Sequence, residues 1–406
     1  MTNSETSPGS SSFRADSAAI DLPEPLVRIR NEVRIFQEHA GERAQTESDG
    51  QRQTEGIRKE VPGICVEDDG DTIHLGDLSP GCLACKSGQW DCLFLAMRCN
   101  LKCTFCLSPR HLADQPMQSA LGPDLSALCA KYARADVRGV GFSGGEPLLQ
   151  PELLLQWVGL LRRELPDLYL WAYTNGVQLT TDLLGKLAEA GLDELRFNVA
   201  ATAYENSHVE RMLGEAARRL PAVAVEVPAI PEHRTRLLDA IAAWADEGVK
   251  FLNLHELIYE AGSPSADMPG ARRSCRMPDG HRCEVHPASS DLAQSVLARV
   301  AERRLPLAVH YCSLRNKARQ LRGRRRLLAF WTLQPHERLR EDGEAESICC
   351  FDAAGMQFVH PSMLPILARR PGKFRMALVR RLLPLACAGE GQWVHFERLP
   401  GTTEGP

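Results

Sequence analysis

Apolar and polar positions follow two periods along this chain. Between residues 93 and 257, short apolar runs fall at 93–97, 137–142, 168–173, 194–199, 223–227 and 250–257. Runs of that length read as buried strands. Between them lie stretches with apolar residues every three or four positions, at 124–135, 152–164, 181–190, 204–220 and 234–247. These read as helices with one apolar side; in 152–164 that side is Leu153, Leu154, Trp157, Leu160 and Leu161. Gly191 and Gly248 stop the helices that precede them. Strands alternating with helices predict a parallel sheet with right-handed crossovers, here an α/β partial (β/α)6 barrel of the TIM type.

The flanks are patterned differently. Residues 1–20 are rich in Ser, Thr and Gly and read as disordered, 24–43 as a loosely amphipathic helix and 46–59 as a linker. Residues 61–75 predict a hairpin around Asp68-Asp69-Gly70-Asp71. Beyond 260, Pro and Gly break 261–286 into a loop, which in that position suits a lid or substrate segment. A helix at 291–303 and an extra strand at 305–311 follow, then a strand pair from Cys349 to Phe358 and a basic amphipathic stretch at 369–385. This divides the chain into an extension (1–60), a hairpin and Cys-rich segment (61–92), a core (93–260) and a mixed, basic C-terminal region (261–406).

Composition adds little direction. A net charge of −4 among 406 residues gives no global drive toward nucleic acid or membrane. No apolar stretch approaches the length that spans a bilayer, and the N-terminus lacks the basic start and apolar core of a signal peptide. The expected location is the cytoplasm. There, 14 cysteines argue for metal ligation or reactivity rather than disulfides.

The chemistry concentrates after the first strand. Cys99, Cys103 and Cys106 stand at a Cys-x3-Cys-x2-Cys spacing on the loop leaving the run 93–97. Three thiolates so close can converge on an iron–sulfur cluster, whereas a closed zinc site wants a fourth ligand that does not follow at a suitable spacing. The second strand runs into Gly144-Gly145-Glu146-Pro147, whose glycines let backbone approach a ligand closely. The third ends in Thr174-Asn175-Gly176, offering a hydroxyl and an amide, and the fourth in Asn198. On the sixth, Asn253 and His255 alternate with apolar residues and so share one face. Upstream, Cys82 and Cys85 form a Cys-x2-Cys pair in a Gly-containing turn, with Cys92 after them. That is a half-site for zinc or a second cluster, or a set of buried thiols; Cys312, Cys275 and Cys283 are candidate fourth ligands.

The Cys-x3-Cys-x-Phe105-Cys loop together with Gly144-Gly145-Glu146-Pro147 resembles the radical S-adenosylmethionine (SAM) superfamily. The resemblance implies a [4Fe–4S] cluster on Cys99, Cys103 and Cys106, with SAM on its open iron. It implies SAM contacts from Phe105, Gly144, Gly145, Glu146, Pro147, Thr174, Asn175 and His255. The implied activity is reductive cleavage of SAM to a 5′-deoxyadenosyl radical that abstracts hydrogen from a substrate, with a flavodoxin- or ferredoxin-like donor supplying the electron. Pro228-Ala229-Ile230-Pro231 is similar to a stretch of the pyruvate formate-lyase activating enzyme group, though Glu232 stands where that group usually has Gly.

The substrate stays open at this point. Seven cations within 315–326 fit an RNA- or protein-modifying enzyme, or simply a solvated helix face. A non-catalytic zinc-binding interaction protein using Cys82, Cys85 and Cys92 is the reading from a different class.

Overall fold

The protein is described by a computed structural model over residues 61–108, 125–276, 282–352, 355–367, 375–382 and 392–399. The expectations for 1–60 lie outside these residues. The chain enters on β1 (Ile64–Glu67) and β2 (Thr72–Leu75), the expected hairpin. Helix α1 (Pro80–Ser87) leads to β3 (Trp90–Ala96) and α2 (Leu125–Ala135). Then come β4 (Gly139–Gly144), α3 (Pro151–Glu164), β5 (Tyr169–Thr174) and α4 (Thr181–Ala190). The repeat continues with β6 (Glu194–Phe197), α5 (Ser207–Arg219), β7 (Ala222–Pro228), α6 (Arg234–Asp246) and β8 (Phe251–His255).

Strands β3 to β8 are parallel neighbours in chain order, the six-unit partial barrel that the alternation predicts. Helix signals explain the spacing. Pro151 starts α3, and Leu154, Trp157, Val158 and Leu161 recur at helical intervals and are buried. The Asn206 side chain caps α5 by accepting from the amides of His208 and Val209.

The sheet runs past residue 260. After β9 (Ile258–Tyr259), β10 (Arg273–Arg276), β11 (Arg282–Val285) and α7 (Ser289–Arg303), strand β12 (Ala308–Cys312) pairs parallel to β8. The hairpin then joins β12 through β2, giving a nine-stranded sheet in the order β1-β2-β12-β8-β7-β6-β5-β4-β3. Helix α8 (Leu314–Thr332), capped by Ser313, packs on α1. The last unit is an antiparallel sheet of β13 (Arg338–Leu339), β14 (Glu344–Asp352), β15 (Gly355–Val359), β16 (Arg375–Leu382) and β17 (Gln392–Leu399). The hairpin β14–β15 is the expected strand pair from Cys349 to Phe358.

Three segments differ from expectation. The supposed turn around Cys82 and Cys85 is helix α1, because Ser79 accepts from the Cys82 amide as N-cap and Pro80 takes the first helical position. The supposed loop 261–286 contains the β10–β11 hairpin, which pairs with β9 in a three-stranded sheet. Of the basic stretch 369–385, residues 375–382 form a strand between β14 and β17.

Candidate active site

A cavity of about 720 Å³ opens at the C-terminal ends of the barrel strands. The cysteine loop after β3 forms one side, and Cys99, Cys103, Cys106 and Phe105 all line it. Backbone amides serve the sulfurs: Leu101 N donates to Cys99 Sγ at 3.5 Å and Ser108 N to Cys106 Sγ at 3.4 Å. Amides aimed at sulfur stabilise thiolate charge, so the loop suits a cluster bound by thiolates. A cubane takes each cysteine on a different iron, which asks that the three line one hollow rather than meet at a point. The carbonyl of Cys106 accepts from Ser265 N at 3.1 Å, so the segment beyond β9 braces the loop.

The Gly-Gly turn after β4 is pressed onto the start of that loop. A Cβ on Gly145 would stand 2.1 Å from the Arg98 carbonyl oxygen and 2.4 Å from that of Met97, which no side chain tolerates. Gly144 has φ +130°, a left-handed value that favours glycine. Both line the cavity.

Glu146 and Pro147 follow the glycines, and Glu146 also lines the cavity. Glu146 is buried, and its carboxylate is used internally: Oε1 accepts from Leu148 N (3.0 Å) and Thr174 Oγ1 (2.8 Å), Oε2 from Asn175 N (2.7 Å). Burial raises its carboxyl above the ordinary value even though these three donors favour the ionised form. Pro147 is buried at the start of a 3₁₀ turn. Both steady the Gly-Gly turn, Glu146 through its hydrogen bonds and Pro147 by its place in the 3₁₀ turn.

Thr174 and Asn175 line the cavity beside them. Asn175 Nδ2 donates to Asn100 Oδ1 at 2.7 Å, which ties the turn after β5 to the cysteine loop. Asn198 also lines the cavity, and its buried Oδ1 has no partner among the described residues. An orphaned acceptor there fits a ligand hydroxyl or amine.

The opposite side is a chain of polar groups that sequence reading found only at His255. Arg196 on β6 is bound by Glu194 and by Glu226 on β7, each at 2.8 Å, and all three are buried. Glu226 Oε1 lies 2.9 Å from His255 Nε2, and Lys317 Nζ lies 2.8 Å from His255 Nδ1. Burial alone would raise Glu226, but Arg196 and His255 hold it well below the carboxylate range. Burial and the nearby Lys317 lower His255 below 6.5 despite Glu226. His255 is therefore a neutral ring that donates to Glu226 and accepts from Lys317.

Lys317 belongs to α8, as do Leu321 and Arg324, which also line the cavity. Their spacing of four and then three residues was the available signal, hidden within a run of cations. Several cations of that run are paired with acidic residues of the same chain. Arg315 and Arg319 pair with Asp71 of the hairpin, and Arg324 pairs with Asp91 of β3.

Of the upstream cysteines, Cys92 lines the cavity, and Cys82 and Cys85 do not. Cys82 and Cys85 are buried on α1, with Cys82 Sγ 3.6 Å from Asn253 Oδ1. Burial pushes the Cys82 thiol up to about 11, Cys92 up to about 12 and Cys85 well above its ordinary value. Among the described residues no three His, Cys, Asp or Glu side chains converge on a single-ion site, so Cys82, Cys85 and Cys92 are not assembled into one. Cys312 accepts from Asn316 and Gln320 instead, while Cys275 and Cys283 face each other across β10–β11.

A partial parallel barrel with a cluster-ready cysteine loop at its rim defines an α/β enzyme built around that loop. Residues 94–254 match the Radical SAM superfamily, so the barrel is a radical SAM domain and the chain that carries it is an enzyme. A Methanocaldococcus jannaschii protein named as a glycyl-radical enzyme activating enzyme is 26% identical over 277 residues, 66% of this chain and 72% of that one. GTP 3′,8-cyclase 2 of Mycobacterium tuberculosis is 40% identical over 116 residues, 28% of this chain and 31% of that one. The crystal structure of Streptococcus suis SuiB overlaps with a TM-score of 0.40 at 13% identity, covering 55% of this chain and 48% of that one. A radical SAM domain over 94–254 replaces the reading of a non-catalytic zinc-binding protein with that of an enzyme.

Proposed function

We propose that Cys99, Cys103 and Cys106 hold a [4Fe–4S] cluster and that SAM lies from there along Gly144, Gly145, Thr174 and Asn175 toward Asn198. The substrate then occupies the space between SAM and the α8 wall. One observation carries this reading: the three cysteines, the Gly-Gly turn and the Thr-Asn turn all line the same cavity. When bound, the cluster and SAM supply reductive cleavage of the sulfonium and a radical able to abstract hydrogen. The protein's part is to orient and enclose. Glu146 sets the two turns against each other, Asn175 ties them to the loop through Asn100, and α8 shields the cavity's far side from water. Cys99 is exposed, which leaves the loop within reach of a small one-electron donor protein.

Among the substrate readings, a small molecule or a single protein side chain is favoured over RNA. The observation behind this is the pairing of Arg315, Arg319 and Arg324 with acidic residues of the same chain. A glycyl-radical activase is the protein-directed version, supported by the name of the M. jannaschii relative.

The test is anaerobic reconstitution, iron counting, then addition of dithionite and SAM with detection of 5′-deoxyadenosine. Formation by wild type and its loss in Cys103→Ala is the expected result. No product from wild type, or equal product from the variant, sinks the reading.

A further inference from the structure

Helix α8 closes the open side of the barrel. Its Lys317 reaches His255 on β8, the Gln320 carbonyl accepts from Trp90 Nε1 on β3 at 3.3 Å, and Arg324 pairs with Asp91 on β3. Lys317, Leu321 and Arg324 share one helix face, and that face lines the cavity.

Two donor sets on this face are underused. An ammonium carries three donors, and among the described residues the hydrogen-bond partner of Lys317 is the neutral His255 ring. Glu226, Glu256 and Cys312 act on Lys317 from further off, and burial still lowers its ammonium. Arg324 is 5% exposed, and its guanidinium binds Asp91 and the Cys92 carbonyl through Nη2. Its Nε is buried without a partner among the described residues. A buried donor left unsatisfied costs about 1–3 kcal/mol. Seven residues of helix separate the two by about 10 Å along its axis, so one carboxylate or phosphate would meet Lys317 and only a longer anionic ligand would meet both, with charge-assisted hydrogen bonds that a neutral apolar ligand lacks.

Building on the SAM-cavity reading above, we propose that the ligand reacting in this cavity carries an anionic oxygen group, carboxylate or phosphate, which Lys317 binds, with Arg324 further along the same helix face. The anion belongs either to the substrate or to the methionyl carboxylate of SAM, and the experiment separates these sources.

The cluster-loaded chain, without reductant, is titrated calorimetrically with inorganic phosphate, pyrophosphate and glutarate at constant ionic strength, for wild type, Lys317→Met and Lys317→Arg. Wild type is expected to bind at least one of these anions. Lys317→Met should weaken it by about tenfold or more, and Lys317→Arg should restore it to within a few fold. SAM is titrated into the same three proteins. Unchanged SAM affinity in Lys317→Met assigns the anion to the substrate. An equal loss of SAM affinity, with phosphate or glutarate competing against SAM, assigns it to SAM. If no probe anion binds wild type, or Lys317→Met binds as wild type does, the proposal is overturned. None of these titrations needs turnover, so a failure to form 5′-deoxyadenosine is a separate result.

Discussion

Gly323 of α8 lies directly on Gly88 at the end of α1: a Cβ on Gly323 would stand 2.8 Å from the Gly88 Cα. The contact is backbone to backbone, so neither side has a flexible end to move. In an ordinary helix Gly→Ala stabilises by about 1 kcal/mol through propensity. Here overpacking of about 1–3 kcal/mol opposes it, and because the obstacle is main chain the clash wins. Gly323→Ala is therefore expected to lower the denaturation midpoint. A raised midpoint would mean that α8 does not dock closely on α1.

The 2.7 Å bond from the Asn175 amide to Glu146 gives a second prediction. Glutamine at 146 keeps one carbonyl oxygen, but its amide nitrogen faces a donor where the carboxylate had an acceptor. Glu146→Gln should destabilise by about 1–3 kcal/mol in denaturant unfolding. It should also weaken SAM binding, although Glu146 itself does not contact SAM in the proposed pose. Unaltered stability would show that the two turns hold their positions without this carboxylate.

How much of this was legible in the sequence depends on how far apart the partners lie. Cys99, Cys103 and Cys106, and likewise Gly144 and Gly145, announce themselves within a few residues, because one loop must present them together. The helices were readable from apolar spacing that their buried faces now explain, as with Leu154, Trp157 and Leu161. The polar wall was not readable. Arg196 finds Ser79, Glu194 and Glu226, and Lys317 finds His255 62 residues earlier in the chain. No local pattern encodes such meetings. The Cys82–Cys85 segment misled because Pro and Gly read as turn signals, although Ser79-Pro80 is a helix start.

The buried thiols give a third prediction. Cys85 is buried on α1, and among the described residues no three His, Cys, Asp or Glu side chains converge with it on a single-ion site. Reconstituted Cys85→Ala should carry the same iron per chain as wild type, while Cys103→Ala should lose it. A drop of one cluster's worth of iron in Cys85→Ala would show instead that α1 holds a second centre.

The last prediction concerns acid. His255 has its pKa lowered from 6.5 by burial and Lys317, so the folded protein binds fewer protons at this ring than the unfolded chain does. Its contribution to stability is fully present above 6.5 and is lost as pH falls through the lowered value. Glu226 is lowered from 4.5, burial being outweighed by Arg196 and His255, so its contribution begins to fade only below 4.5. Two steps should follow on acidification, the first from the imidazole and the second from the carboxylate. Guanidinium unfolding of wild type at pH 7.5, 6.5, 5.5 and 4 should show falling stability below pH 6.5, and His255→Gln should make the fall between 6.5 and 5.5 shallower without abolishing it, because burial lowers His310 and His233 as well. Parallel curves for the two proteins between 7.5 and 5.5 would mean that His255 is not held neutral between Lys317 and Glu226.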